Sequence, residues 1–489
     1  MRLIDLMAEA DGTVNLDPAI GALDISGLAA DSRAVRPGFL FAALSGSRAD
    51  GRTYIADARK RGAVALLARP EAAADAAGMA FIADANPRRR LARMAARFYG
   101  AQPRTVAAVT GTNGKTSTVT FARQLWTALG HRAASLGTLG VTAPGLNVDE
   151  GLTTPDPIAL HDTLAKLANS GVDHAALEAS SHGLDQHRLD GVRIALAAFT
   201  NLTRDHLDYH RDMAAYRTAK LRLFTELLSA DGAAVLNADA DGIEHFRAAC
   251  QARALRVLTY GERGADLRLD AVEARPDGQR ITLKIAGKSH DIVLPLVARF
   301  QAMNALCALG LVIADGAAMD KALAAMPQLQ GVPGRVQRVA VLPSGAGVYV
   351  DYAHTPDALE TVLRALRPHA SRRLSVVFGC GGDRDPGKRP LMGDVAQRLA
   401  DDVFVTDDNP RSENPAEIRR QILAACPGAQ EFDSRADAIG AAVSALQAGD
   451  VLVLAGKGHE RYQIIGDQVL PFDDAAVAAD AARARGGRA

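Results

Sequence analysis

The chain has 489 residues, 48% of them hydrophobic and 23% charged, the balance of a protein with ample core. Lys plus Arg and Asp plus Glu each number 56, so no net field draws it to nucleic acid or anionic lipid. The length exceeds one ordinary domain and suggests about three.

The N-terminus, Met1 to Glu9, carries Asp5 and Glu9 where a secretory signal needs an apolar run. No uncharged stretch reaches the ~18 residues that would span a membrane. Cys250, Cys307, Cys380 and Cys426 lack C-x-x-C pairing, which fits a reducing compartment; a cytoplasmic protein is expected.

Residues up to 103 carry short apolar runs, 38–44 and 63–68, between polar turns, the pattern of a small α/β domain. Gln102-Pro103-Arg104 reads as a seam. From 104 to 333 apolar runs (106–109, 133–139, 175–177, 195–199, 233–236) alternate with helical patterns, the signature of a wound, mostly parallel sheet. Gly331-Val332-Pro333-Gly334 is a second seam, rich in turn formers. From 334 to 489, runs at 347–350, 374–378, 403–406 and 451–454 again alternate with helices, and an Ala-rich helix is expected at 475–485. The expected fold is thus α/β in three domains: a smaller N-terminal one (1–103), a central P-loop ATPase domain (104–333) and a Rossmann-like C-terminal domain (334–489).

Chemistry concentrates after strands. The run 106–109 leads into Thr110-Gly111-Thr112-Asn113-Gly114-Lys115-Thr116-Ser117 and then a helical stretch through Val119, Phe121, Leu125 and Trp126. Glycines let N–H groups converge on phosphate, the helix start adds positive potential, Lys115 neutralises charge and the Thr116 hydroxyl can ligate Mg²⁺. Val109 stands where a standard Walker A loop has its first glycine, so the fit is to the shorter T-G-T-N-G-K-T form. A second cluster, Glu178 to Arg188, follows 175–177; Glu178 suits Mg²⁺, and Ser180 and Arg188 suit an anionic substrate. A third, Asn201 to His210, follows 195–199. A strand-end acid alone is usually just solvated, but three polar clusters after three strands of one sheet point to a shared site.

These runs, T-G-T-N-G-K-T, E-A-S-S-H-G-L-D-Q-H-R (178–188) and N-L-T-R-D-H-L-D-Y-H (201–210), with V-D-Y-A-H-T-P-D (350–357), resemble those of the Mur ligases. These are ATP-dependent amide-forming enzymes of cytoplasmic peptidoglycan-precursor synthesis. The resemblance covers the whole chain and implies domains for UDP-sugar, ATP and incoming amino acid. It implies ATP phosphates on Gly111, Thr112, Asn113, Gly114, Lys115, Thr116 and Ser117, and Mg²⁺ on Thr116, Glu178 and His206. Lys220 resembles a family lysine carbamylated by CO₂, an added carboxylate for the metal. Lys115, Glu178, His206 and Lys220 are therefore the implied catalytic set. Asn304, Arg335, Asp351 and His354 resemble nucleotide contacts, with Asp351 on the ribose. Ser32, Ser47, Arg48 and Ala49 resemble UDP contacts. Thr153, Thr154, Ser180, Gln186 and Arg188 resemble contacts to the muramoyl-peptide.

In the C-terminal domain, Asp408-Asn409-Pro410-Arg411 resembles the D-N-P-R signature of members that add meso-diaminopimelate. That amino acid differs from lysine by a distal carboxylate, which a guanidinium fork binds bidentately. Arg384 resembles a second arginine of that pocket, and Gly456 and Glu460 resemble receivers of the distal ammonium. The implied reaction joins meso-diaminopimelate to UDP-N-acetylmuramoyl-L-alanyl-D-glutamate through an acyl phosphate, with ATP and Mg²⁺, in a monomer. Two alternatives are a folylpolyglutamate synthetase-type ligase and an ATP-binding switch that ligates nothing.

Overall fold

The computed structural model describes all residues except 9–16, 47–49, 77, 149–151, 265, 276 and 489. The chain divides into two compact units: Met1–Lys115 with Leu129–Leu258 and Ala314–Gly316, and Thr116–Ala128 with Thr259–Ile313 and Ala317–Ala489. Among the described residues no helix is long and apolar enough to cross a membrane.

The first unit opens with a parallel sheet of β1 (Gly27–Ala29), β2 (Phe39–Ala42), β3 (Ala65–Ala68) and β4 (Ala80–Ala83), in that order. Alternate residues face opposite ways. Leu40, Ala42, Ala65 and Leu67 pack with Leu91 and Met94 of the helix Pro87–Tyr99, and Phe41, Leu66 and Ala68 pack with Ile55 and Ala58. The unit continues with β5 (Thr105–Thr110), β6 (Ala133–Gly137), β7 (Gly140–Ala143), β8 (Leu146–Val148), β9 (His174–Glu178), β10 (Ile194–Phe199) and β11 (Leu228–Asn237). Their spatial order is β11-β10-β5-β9-β6-β7-β8. β5, β6, β9, β10 and β11 are mutually parallel, while the β6–β7–β8 edge is antiparallel. β5, β6 and β9 are buried throughout, which is why they read as unbroken apolar runs. The crossovers start cleanly. Asp156 accepts hydrogen bonds from the N–H groups of Ile158 and Ala159, and Pro157 occupies the first position of the helix Pro157–Asn169.

At the amino end of this sheet His174, almost fully buried, is gripped on both sides. Its Nδ1 lies 2.8 Å from Asp173 Oδ1 and its Nε2 2.8 Å from Asp315 Oδ2, while the Thr105 hydroxyl donates to Asp315 Oδ1 at 3.3 Å. Burial pushes the imidazole down, but the bonds with Asp315 and Asp173 outweigh it and hold the ring above its ordinary value. The resulting stabilisation is complete below the unfolded value near 6.5 and is lost as pH rises through the raised folded one. His174→Gln is expected to lower the thermal midpoint more at about pH 6 than at about pH 9. Equal losses would mean the ring acts by packing alone.

The second unit holds β13 (Leu267–Arg275), β14 (Gly278–Ile285) and β15 (Lys288–Leu294), an antiparallel meander joined through β13 to the end of β12 (Arg256–Gly261). This departs from the expected winding of parallel strands and helices up to 333. Its strands carry the alternation of a sheet with one buried face, Ile281, Leu283 and Ile285 being buried and Arg280 and Lys284 exposed. A further sheet runs β16 (Gln337–Val341), β17 (Gly347–Asp351), β21 (Val451–Ala455), β18 (Leu374–Phe378), β19 (Asp402–Val405), β20 (Gln430–Glu431), parallel except for β16. Val376, Phe378, Val451 and Val453 pack on the helices Pro356–Leu366, Lys388–Leu399 and Pro415–Leu423. Val377, Leu452 and Leu454 pack on Arg435–Ala445 and Asp474–Arg483. This is the doubly wound arrangement expected. A hairpin of β22 (Tyr462–Ile465) and β23 (Gln468–Pro471) follows.

Candidate active site

β5 ends at Thr110, and the helix Lys115–Ala128 begins after four loop residues. Gly111 has φ +147°, and a Cβ there would collide with the Thr200 hydroxyl, which itself donates to Asn113 O at 2.6 Å. The segment after β10 clamps the loop. Asn201 O accepts from the Thr112 N–H and Asn201 Oδ1 from the Asn113 N–H, both at 2.9 Å. The expected cradle over the whole of Gly111–Ser117 is thereby narrowed. N–H groups suited to an anion remain at the helix start, where the first turn has no intrahelical partner and Thr116 and Ser117 are buried.

Two predicted lysines meet here. Lys115 Nζ donates to Gly111 O at 2.9 Å and to Thr112 O at 2.7 Å; Lys220 Nζ donates to the same Gly111 O at 2.8 Å. Lys220, on the helix Met213–Arg222, is 1% exposed, and its Nζ lies 4.4 Å from the Tyr216 ring centre. Burial, reinforced by the Lys115 charge, holds the Lys220 amine well below the usual lysine range. These surroundings favour the uncharged amine, the form able to attack CO₂.

Glu178 ends β9, buried, with Oε1 accepting from the Thr138 N–H at 2.8 Å and Oε2 from the Thr138 hydroxyl at 3.3 Å. Thr138 also bonds Thr153 at 3.1 Å, and the Thr154 hydroxyl donates to Glu178 O at 2.8 Å and lies 3.0 Å from Ser180 Oγ. Arg188 donates to Thr154 O at 2.6 Å and to Gln186 Oε1 at 2.8 Å. The five residues expected around the muramoyl-peptide therefore form one hydrogen-bonded group with Glu178. His206 sits half-exposed with φ +53°, 4.9 Å from the His182 ring and 6.2 Å from Tyr216, the residue that also contacts Lys220. Glu178 offers the hard oxygen ligand that Mg²⁺ takes, and His206 offers an imidazole nitrogen.

In the second unit the expected nucleotide contacts cluster. Asn304 donates to Gln301 Oε1 at 3.1 Å, Gln301 donates to Arg335 O at 2.8 Å, and the Arg335 guanidinium lies 5.2 Å from the Tyr352 ring centre. His354 packs on the same ring at 4.6 Å. Asp351, expected on the ribose, has both oxygens engaged by backbone: Oδ2 by Val336 N–H at 2.7 Å and Oδ1 by Ala353 N–H at 2.8 Å. Burial pushes its carboxyl up to about 6 against the opposing pull of Arg335.

Residues expected around the amino acid also lie together in this unit. A Cβ placed on Gly381 would lie 2.8 Å from Arg411 Nη1 and 3.8 Å from Arg384 Cγ, so both arginines flank one turn. Arg411, with φ +51°, donates to Gly382 O at 2.8 Å, whereas Arg384 is exposed. Asn409 Nδ2 donates to Glu460 Oε2 at 3.0 Å. Gly456 has φ +114° and leaves room for Asp408, whose Oδ2 would stand 2.7 Å from a Cβ there.

Sequence models of the Mur ligase family catalytic domain, the Mur ligase middle domain and the Mur ligase glutamate ligase domain match residues 24–99, 109–312 and 334–458. A relative in Chelativorans sp. (strain BNC1), named UDP-N-acetylmuramoyl-L-alanyl-D-glutamate--2,6-diaminopimelate ligase, is 53% identical over 454 residues, 93% of this chain and 94% of its own. The chain belongs to the Mur ligase family. A solved structure described by the same ligase name is 34% identical, with a TM-score of 0.77 and 99% of both chains covered. A folylpolyglutamate synthase of Mycobacterium tuberculosis, complexed with ADP and AMPPCP, is 22% identical with a TM-score of 0.59. It covers 73% of this chain and 89% of its own, a likeness of fold alone.

As a Mur ligase the chain has the three-domain α/β architecture expected of it. Of the expected UDP contacts, Ser47, Arg48 and Ala49 lie outside the described residues, and Ser32 is buried with its hydroxyl bonded to Asp57. The same N-terminal region holds a cavity of about 280 Å³ lined by Ser45, Arg52, Arg69 and Glu71, none of which the sequence singled out. Thr138 and Tyr216, which bond Glu178 and Thr112, were also not singled out by the sequence. Thr138 had a usable signal: it follows Gly137 at a strand's carboxyl end, as Glu178 ends its own strand.

Proposed function

We propose that the chain joins meso-diaminopimelate to UDP-N-acetylmuramoyl-L-alanyl-D-glutamate at the expense of ATP, in the cytoplasm and as a monomer. The observation that carries this reading is the pair Arg384 and Arg411 about one turn, with Asn409 and Glu460 bonded to each other in the same unit. Guanidinium and carboxylate groups answer the distal carboxylate and ammonium of that amino acid. The names of relatives at about half identity support it.

The glutamate γ-carboxylate oxygen attacks the γ-phosphorus of ATP, and ADP leaves with the bonding electrons. The amine nitrogen of diaminopimelate attacks the acyl carbon, loses a proton, and phosphate departs. Lys115 and the helix start hold phosphate charge, and Thr154, Ser180 and Arg188 orient the acceptor. Mg²⁺, when bound by Thr116, Glu178, His206 and carbamylated Lys220, would supply further charge neutralisation. No Ser or Cys nucleophile is required.

Phosphate release with the UDP-dipeptide and each candidate amino acid tests the reading; turnover independent of diaminopimelate would overturn it. Lys115→Ala is expected to abolish ligation while moving the thermal midpoint by no more than a few degrees. Near-normal turnover would remove the phosphate-loop assignment.

A further inference from the structure

Lys457 is fully buried beside the expected amino-acid pocket, yet none of the site residues named above includes it. Its Nζ donates to Asn409 Oδ1 at 3.1 Å and stands 3.6 Å from Glu460 Oε2 and 3.8 Å from Asp408 Oδ1. Asn409 Oδ1 accepts a second bond, from the Ile464 N–H at 3.0 Å. With two donors on its oxygen the amide cannot turn over, so its NH₂ must face Glu460, which it meets at 3.0 Å. Lys457 therefore fixes Asn409, and Asn409 fixes Glu460.

Charge counting adds to the geometry. Arg435 and Asp474, both fully buried, pair with each other at 2.6 Å. Lys457 is then the cation left to two carboxylates, Asp408 and Glu460, so the group retains one negative charge. A group of these three with one spare negative charge suits one ammonium; without Lys457 two carboxylates would stand there with no cation between them.

We propose that Lys457 is a positioning and specificity-determining residue, which aims Glu460 through Asn409 and sets the pocket's charge to accept the distal ammonium of the amino-acid substrate. The proposal rests on the diaminopimelate reading.

The test uses the full-length enzyme and compares Lys457→Met and Lys457→Gln, with meso-diaminopimelate and with 2-aminopimelate, which lacks the distal ammonium. Lys457→Met should raise KM for diaminopimelate at least tenfold with kcat within about threefold, and leave KM for ATP and for 2-aminopimelate unchanged. Lys457→Gln, which keeps a donor to Asn409, should recover part of that loss. The proposal is overturned if both variants keep the wild-type KM. It is also overturned if every KM and kcat worsens together, or if both variants fail to fold, since Lys457 would then be structural. A wild-type enzyme that ignores diaminopimelate would overturn the substrate reading and this proposal together, whereas normal wild-type turnover with insensitive variants sinks this proposal alone.

Discussion

Lys220→Ala is expected to lower ligation by about two to three orders of magnitude, the scale of removing one preorganised electrostatic partner of the reacting groups. The unmodified amine shares Gly111 O with Lys115, and burial and that neighbour both disfavour its charge. A carbamate would put a carboxylate in place of the amine, for the metal that Glu178 and His206 are proposed to hold. Short carboxylic acids such as acetate should then restore part of the activity of Lys220→Ala, because they can occupy the space vacated by the side chain. An unmodified amine in a mass measurement on active enzyme would sink the carbamate role. Failure of rescue with a carbamate present would mean the space cannot admit a free acid.

Arg411→Ala should cut kcat/KM for meso-diaminopimelate by about two to three orders of magnitude. Leaving a desolvated carboxylate unpaired typically costs about 3–5 kcal/mol, at about 1.4 kcal/mol per decade. Any turnover of lysine should change far less, since lysine offers that guanidinium nothing to hold. The structure adds a control. Arg411 also holds Gly382 O at 2.8 Å from a left-handed backbone, so part of any loss could come from the turn. Arg411→Lys can keep one donor to Gly382 while losing the planar fork, and should still discriminate poorly. Equal losses on both substrates in both variants would assign Arg411 to the turn. Efficient use of lysine by the unmodified enzyme would overturn the substrate reading and leave ligase chemistry standing.

Much of this protein was legible as sequence because its central strands are buried on both faces. Such strands must be unbroken apolar runs, and 374–378 and 195–199 were located to within a residue as Leu374–Phe378 and Ile194–Phe199. The ligand-facing ends were legible for the same reason: where an apolar run stops in Gly, Glu or Asn, the chain has reached the carboxyl edge of the sheet. That rule, with the Gly-Lys-Thr pattern of the loop Gly111–Lys115 and three polar clusters on one sheet, made the loop and Glu178 readable. The meander β13–β15 was misread because a half-exposed strand mixes Arg, Lys and Asp with Leu and Ile, so only its alternation betrays it.

Tertiary structure decided the rest, for a simple reason. Periodicity records which face of an element is apolar; it does not record which side chain from a distant strand that face meets. That Lys115 and Lys220 converge on one carbonyl is a contact across about a hundred residues, and nothing local to either lysine announces it. The same holds for Thr138 with Glu178, Asn201 with the phosphate loop, and Lys457 with Asn409. The sequence by itself determined the layers, the edges and the kinds of chemistry at each edge. The charge states and orientations on which that chemistry depends come from desolvation and from long-range partners, and those exist only once the chain has folded.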